Sequence, residues 1–228
     1  MIRKRVVFDV RNQFWLNFFL GWSRDRLLKL VNMVAVHKPA ITLELGCANG
    51  VLTDYLKADK QLVGLDIDRK SLSWAKKRVR HAEFVCADLC HLPFKKNCID
   101  LVVCSSVLEH IKELERAVVE LNIIIKEGGT LISGYPVDTA LMRTVIELLN
   151  RQYVKVWNPR RVMTEKEFLE DPETHKQKHP EIRRVLLSYF KVLRKDKIPF
   201  VSFPDFLSIY ECVLLVKKKT KPAKRNML

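Results

Sequence analysis

Short apolar runs alternate with amphipathic ones over most of the chain. Ile41-Thr42-Leu43-Glu44-Leu45, Gln61–Asp66, Ala82–Cys86, Ile99–Cys104 and Thr130–Tyr135 are aliphatic and β-branched, and each predicts a strand. Ile99–Cys104 is almost wholly apolar, as a central parallel strand should be. The segments between them, Val51–Ala58, Asp68–Arg80, Lys112–Lys126 and Asp138–Arg151, predict helices. Leu72, Ala75 and Val79 share one face of the second helix, and Gly128-Gly129 is a stop signal for the third. Strands alternating with helices imply βαβ units, a parallel sheet and helices on both of its faces.

The pattern changes at both ends. Residues 12–36 read as helix, with Phe14, Trp15, Phe18, Phe19, Trp22, Leu27, Leu28 and Val31 at helical spacing. Ser23 is placed to cap a second helical segment over 24–36. Beyond 151 the chain is rich in Lys, Arg, Glu, His and Pro and loses its periodicity. Glu181–Tyr189 then looks helical, and strands follow at about Phe190–Arg194 and Leu207–Lys217. Their link is too short for a crossover helix, so they should pair antiparallel. The expected architecture is an α/β fold: a doubly wound, seven-stranded, mostly parallel sheet with an antiparallel last strand. A helical cap (1–37) precedes the main domain (38–217), which carries an insertion at about 152–187; a basic, disordered tail (218–228) follows.

Composition narrows the function classes. At 228 residues and 48% hydrophobic, the chain can build one sizeable core. No apolar run approaches the ~20 residues that span a bilayer, and the basic start lacks the apolar stretch of a signal peptide. The expectation is a soluble, cytoplasmic protein. Its six cysteines form no CxxC pair, which argues against a zinc site. The net charge is +15, unevenly spread: residues 1–150 hold 22 basic and 17 acidic side chains, and residues 151–228 hold 19 and 9. Such an excess suits an anionic partner.

Candidate chemistry gathers at the strand ends. Glu44-Leu45-Gly46-Cys47-Ala48-Asn49-Gly50 follows the first strand, where glycines permit a tight turn and close approach of backbone to a ligand. Its G-x-x-x-G spacing is not the G-x-G-x-x-G of a dinucleotide fingerprint. Glu44 is a poor neighbour for a pyrophosphate and a good one for a cation. Asp66 closes the second strand, where a carboxylate can accept from both ribose hydroxyls, and Asp88 follows the third, placed to accept from an exocyclic amine. Ser105-Ser106 follows the fourth.

The runs LELGCANG, LVGLDID, AEFVCADLCHLPF, IDLVVCSSVLEHI and IIKEGGTLISGYP resemble the class I S-adenosylmethionine-dependent methyltransferases over roughly residues 40–137. The resemblance is to their small-molecule, type 11-like branch and implies the Rossmann-like methyltransferase fold, S-adenosyl-L-methionine as cofactor and methyl transfer as the reaction. It implies that Glu44, Gly46, Asn49 and Gly50 hold the methionine end, Asp66 the ribose and Ile67 the adenine face. Asp88 and the Leu89 backbone would read the adenine edge, and Ser105 would pass near the sulfonium. Ala48 departs from the glycine of many members, a change expected to be tolerable at negative φ.

The fourth-strand run Cys104-Ser105-Ser106-Val107 lacks the Asn/Asp-Pro-Pro-aromatic motif of amine methylases and the Pro-Cys of cytosine-C5 enzymes. The metal-binding Glu-x-x-Glu-His of some relatives is reduced to Glu109-His110, so no metal is expected. His110 is the candidate general base. The insertion is expected to cover the acceptor, with Trp157, Arg160, Arg161, His175 and His179 as contacts from an exposed segment. A small, anionic or lipid-linked acceptor fits best. The basic C-terminal region also fits an RNA acceptor, and a non-catalytic cofactor-binding partner protein is a further alternative. The aromatic helix around Phe14–Trp22 packs on the domain or makes a peripheral membrane contact.

Overall fold

The computed structural model describes residues 28–32, 38–137, 177–198 and 210–218. The seven strands are β1 (Ile41–Leu45), β2 (Gln61–Asp66), β3 (Glu83–Cys86), β4 (Ile99–Ser105), β5 (Ile125–Pro136), β6 (Phe190–Ile198) and β7 (Tyr210–Lys217). They form one sheet in the order β3-β2-β1-β4-β5-β7-β6. β3 through β5 are parallel, while β7 runs antiparallel to both of its neighbours. This is the expected doubly wound sheet, with the pair Phe190–Ile198 and Tyr210–Lys217 antiparallel as the short link requires.

The sheet is central because its middle strands are apolar on both sides. Val102 and Cys104 of β4 belong to one core, while Leu101 and Val103 belong to the other. The first core is closed by two helices, α2 (Leu114–Ile124) and α3 (His179–Tyr189). Leu114, Ala117, Val118 and Leu121 of α2 and Ile182, Val185 and Leu186 of α3 meet Leu43, Leu45, Val63 and Leu65 there. On the opposite face, Leu30 and Val31 of a helical segment at 28–32 pack with Leu56, Leu62, Ile132 and Leu214. Helix α1 (Arg69–Arg78) buries Leu72 and Ala75 and is capped by Asp68, whose carboxylate accepts from the Lys70 and Ser71 N–H groups.

Two expected helices are corrected. Val51–Ala58 forms only a single 3-10 turn at Thr53–Tyr55. Leu56 is already extended, and the Asp59 and Lys60 N–H groups bond back to Pro39 and Ala40 carbonyls, which leaves too few residues for α-helical turns. The helix expected over Lys112–Lys126 ends at Ile124, and β5 starts at once at Ile125. Gly128-Gly129 therefore does not cap a helix. Ile125 pairs with Ile99 but Thr130 pairs with Leu101, so the glycines lie in a bulge, with Gly128 at φ +76°. Lys217 reaches the start of this bulge, donating to the Ile125 carbonyl at 2.7 Å and to Asn97 Oδ1 at 2.9 Å.

The first of the two expected strands at the C-terminal end is longer than the pattern showed, reaching Ile198; the second is described from Tyr210, and its expected start at Leu207 lies outside the described residues. The expected helix over Asp138–Arg151, most of residues 12–36 with Ser23, and the tail beyond 218 lie outside the described residues. Among the described residues no helix is long and apolar enough to cross a membrane.

Because Leu121 is wholly buried between α2 and the sheet, Leu121→Ala should lower unfolding stability by about 2–5 kcal/mol. Ile123, on the exposed side of the same helix, should change it by less than about 0.5 kcal/mol when replaced by Ala. Urea denaturation of the two variants measures the contrast.

Candidate functional site

Strand order reverses between β1 and β4, so the crevice beyond their carboxyl ends is where an open α/β sheet binds ligands. The loops leaving these strands touch there. A Cβ on Gly46 would lie 2.3 Å from Val107 Cγ2, and one on Gly50 would lie 3.1 Å from Ala75 Cβ. Both glycines also have positive φ, at +64° and +78°. Thus Gly46 lets the first loop pass under the β4 loop, and Gly50 lets it close against α1.

Ala48, between them, is at φ +46°, not at the negative value expected of it. This left-handed conformation costs an L-residue roughly 1–2 kcal/mol. The Ala48 N–H donates to Asp66 Oδ2 at 2.8 Å, which offsets part of that cost. The other Asp66 oxygen accepts from the Asp68 N–H at 2.9 Å. Asp66 thereby joins the β1 loop to the end of β2, with a lone pair left on each oxygen.

Glu44 lies in mid-sheet, beside Gly64 of β2 and Val103 of β4. It is buried, and burial pushes its carboxyl up to about 7 despite the hydrogen bond it accepts from Thr53 Oγ1 at 2.5 Å. Among the described residues no basic side chain pairs with it. Asn49 and Ile67 stand exposed at the rim, Ile67 with 69% of its surface open. Asp88 is exposed and spends one carboxylate oxygen on the Cys90 N–H at 2.9 Å. The Leu89 side chain is in the core, so only its backbone is available to a ligand.

At the end of β4, Ser105 and Ser106 share a partner that sequence reasoning missed. The Tyr210 hydroxyl lies 3.2 Å from Ser105 Oγ and 2.9 Å from Ser106 Oγ. Nothing in the local pattern of β7 marks this tyrosine, since the contact spans more than one hundred residues. The next turn, Leu108–His110, holds the buried Glu109, which burial also raises to about 7, and the half-buried His110.

Three comparisons bear on this geometry. A family model described as a methyltransferase domain matches residues 43–133. The matched segment is less than half of the chain's length, and over it the chain resembles a methyltransferase domain. An uncharacterized protein of Methanocaldococcus jannaschii is 39% identical over 95 residues, covering 42% of this chain and 40% of that protein. A mitochondrial arginine-hydroxylase of Homo sapiens is 34% identical over 98 residues, covering 41% and 28%. The chain thus spans less than half the length of these curated relatives. The N-methyltransferase NodS from Bradyrhizobium japonicum WM9, solved with S-adenosyl-L-homocysteine, superposes with a TM-score of 0.61 over 86% of both chains. At 15% identity that likeness is one of fold.

The segment that resembles a methyltransferase domain runs from β1 into β5 and so contains every loop of the crevice. Beyond it, His179 departs from expectation. It is no exposed contact: it opens α3, is buried, and lies 3.5 Å from Glu211 Oε1. Tyr135 donates to the same oxygen at 3.0 Å, and Lys195 approaches the other at 3.5 Å. Burial pushes the Glu211 carboxyl up, but His179, Lys195 and Tyr135 together hold it below the usual range. Trp157, Arg160, Arg161 and His175 lie outside the described residues. Among the described residues no cluster of three or more His, Cys, Asp or Glu could hold a metal.

Two measurements check these assignments. Ala48→Gly should raise stability by roughly 0.5–1 kcal/mol, since glycine has no penalty at this φ but a more mobile unfolded chain; Gly46→Ala should lower it by about 1–3 kcal/mol through overpacking on Val107. Thermal denaturation reads both. The depressed Glu211 carboxyl contributes stability that is present above its unfolded value, 4.5, and is lost as pH falls through the lower folded value. Glu211→Gln should therefore flatten the acid limb of the stability curve below pH 4.5.

Proposed function

We propose that this chain transfers the methyl group of S-adenosylmethionine to a small acceptor, anionic or lipid-linked. The observation that carries the reading is Glu44: a buried carboxyl near the end of β1, just before the switch-point loop, with no cation of its own among the described residues. A buried acid of this kind favours a positively charged ligand group, because ionisation then gains a partner. When bound, the cofactor supplies a methyl group already activated by positive charge on sulfur.

The chain's own residues do the rest. Glu44, with the backbone of Gly46, Asn49 and Gly50, holds the methionine end. The free lone pairs of Asp66 accept from the ribose. Ile67 covers the adenine, and Asp88 with the Leu89 backbone reads its edge. Ser105 borders the methyl, and His110 takes the proton that the acceptor loses. Trp157, Arg160, Arg161 and His175 close over the acceptor. Aligning a nucleophile with an activated methyl and excluding water accounts for most of what such catalysis needs.

A second reading, RNA as acceptor, is favoured by the 19 basic against 9 acidic side chains over residues 151–228. Methyl transfer from labelled cofactor into fractionated extract separates the two. Label in small molecules or lipid supports the first reading, and label in RNA, in an interaction weakening steeply with salt, supports the second. Cofactor binding with no transfer into any fraction leaves a non-catalytic partner role, and turnover without label transfer points to chemistry such as that named for the human relative.

The pH dependence of cofactor binding tests Glu44 directly. In the free protein its carboxyl is raised from 4.5 to about 7, so it holds a proton that a cationic ligand must displace. Affinity should rise from about pH 5.5 to about pH 7, by at most about tenfold per unit, and then level off. Glu44→Gln should abolish this rise and weaken binding. Calorimetric titration at several pH values measures it, and a flat profile for the unaltered protein contradicts the assignment.

A further inference from the structure

Three hydroxyl groups meet at the carboxyl end of β4, and one of their carriers is held in an unfavourable backbone. Ser106 stands at φ +54°, a conformation that L side chains seldom adopt. Two bonds hold it there: its N–H donates to the Gly134 carbonyl at 2.8 Å, and its hydroxyl meets Tyr210 at 2.9 Å. Tyr210 opens β7, paired in register with Pro136 of β5, so its side chain reaches past β5 to the end of β4. The ring is anchored in the core shared by Leu30, Val31, Leu101, Val103 and Cys212. A strained residue over-determined by its surroundings is a mark of a functional position.

The chemistry of the cluster is equally specific. Its three oxygens offer lone pairs but no formal charge. Burial drives the Tyr210 phenol far above its ordinary range, so it stays protonated and neutral. A neutral, oxygen-lined edge attracts a cation through bond dipoles that need no reorientation. The methyl donor and its spent product differ at one place only: the donor has a methylated, positively charged sulfur and the product a neutral thioether. Any residue that tells them apart must act at that sulfur.

We propose that Tyr210 is a positioning residue for the methyl donor: it holds Ser105 and Ser106 as a neutral oxygen rim against the methylated sulfonium, so that the site prefers the charged donor to its demethylated product. This rests on the donor assignment made above. It extends that assignment to a strand lying beyond the segment matched by the methyltransferase model.

The test is the ratio of two affinities, because a merely structural role moves both together. S-adenosylmethionine and S-adenosylhomocysteine are titrated calorimetrically into the full chain and into Tyr210→Phe, which keeps the ring and loses the hydroxyl. The variant should bind the donor roughly three- to tenfold more weakly, the effect of one or two hydrogen bonds, with product affinity unchanged. Ser105→Ala, which leaves the Tyr210 ring and Ser106 in place, should shift the ratio in the same direction and keeps the question open to measurement if Tyr210→Phe melts early. Equal losses for both ligands, or no loss for either, overturn the role and leave Tyr210 as a brace of the sheet. Unaltered protein that binds neither ligand overturns the donor assignment itself, and the role with it.

Discussion

The site depends on the chain turning back beneath the β4 loop immediately after β1, and that turn is possible only without a side chain at Gly46. A Cβ there would overlap Val107, and the backbone sits at positive φ. From this one close approach the rest follows. The loop can continue through Ala48 to Asp66, which ties it to the end of β2. It can then close on Ala75 of α1 through Gly50. Three strand ends and one helix are thereby fastened around a single crevice, with Glu44 buried at its base.

Burial governs the electrostatics on both sides of that crevice. Glu44, in β1, and Glu109, in the turn after β4, are carboxyls lifted towards neutrality by desolvation. Glu211 is as deeply buried, yet it is held low because His179, Lys195 and Tyr135 surround it. The difference is one of partners. A buried acid that the chain itself satisfies belongs to the architecture, where it fixes the start of α3 on β7. A buried acid left without a cation is stabilised by a ligand that brings one.

Proteins that resemble this chain in fold or over part of its sequence bear the names of different chemistries, a methyltransferase and a hydroxylase among them. A fold of this kind supplies a cradle, and the reaction is decided by what lines it. Here the lining at the end of β4 is hydroxylic, and one of its three members arrives from β7, the strand that runs against all its neighbours.

The alternation of apolar and amphipathic segments was enough to specify which segments are strands, their mostly parallel pairing and the reversed last pair. Those properties follow from local periodicity and from the length of the connections. Glu44, Asp66 and Asp88 were also legible as strand-end carboxylates, because each stands within two positions of a strand end that the pattern marks. What the sequence left undetermined depends on which surfaces meet. The 3-10 turn after Gly50 replaces a helix because Asp59 and Lys60 are drawn back to Pro39 and Ala40, just before β1, and the glycine pair at 128–129 forms a bulge because Ile125 already has a partner in Ile99. Ala48 takes positive φ because Asp66 is there to receive its N–H. His179 has the composition of an exposed loop around it, but β7 offers it Glu211. Tyr210 joins Ser105 and Ser106 only once β5 lies between β4 and β7. Periodicity reports which side of an element is apolar; it carries no information about the partner that a polar or strained residue meets across the sheet.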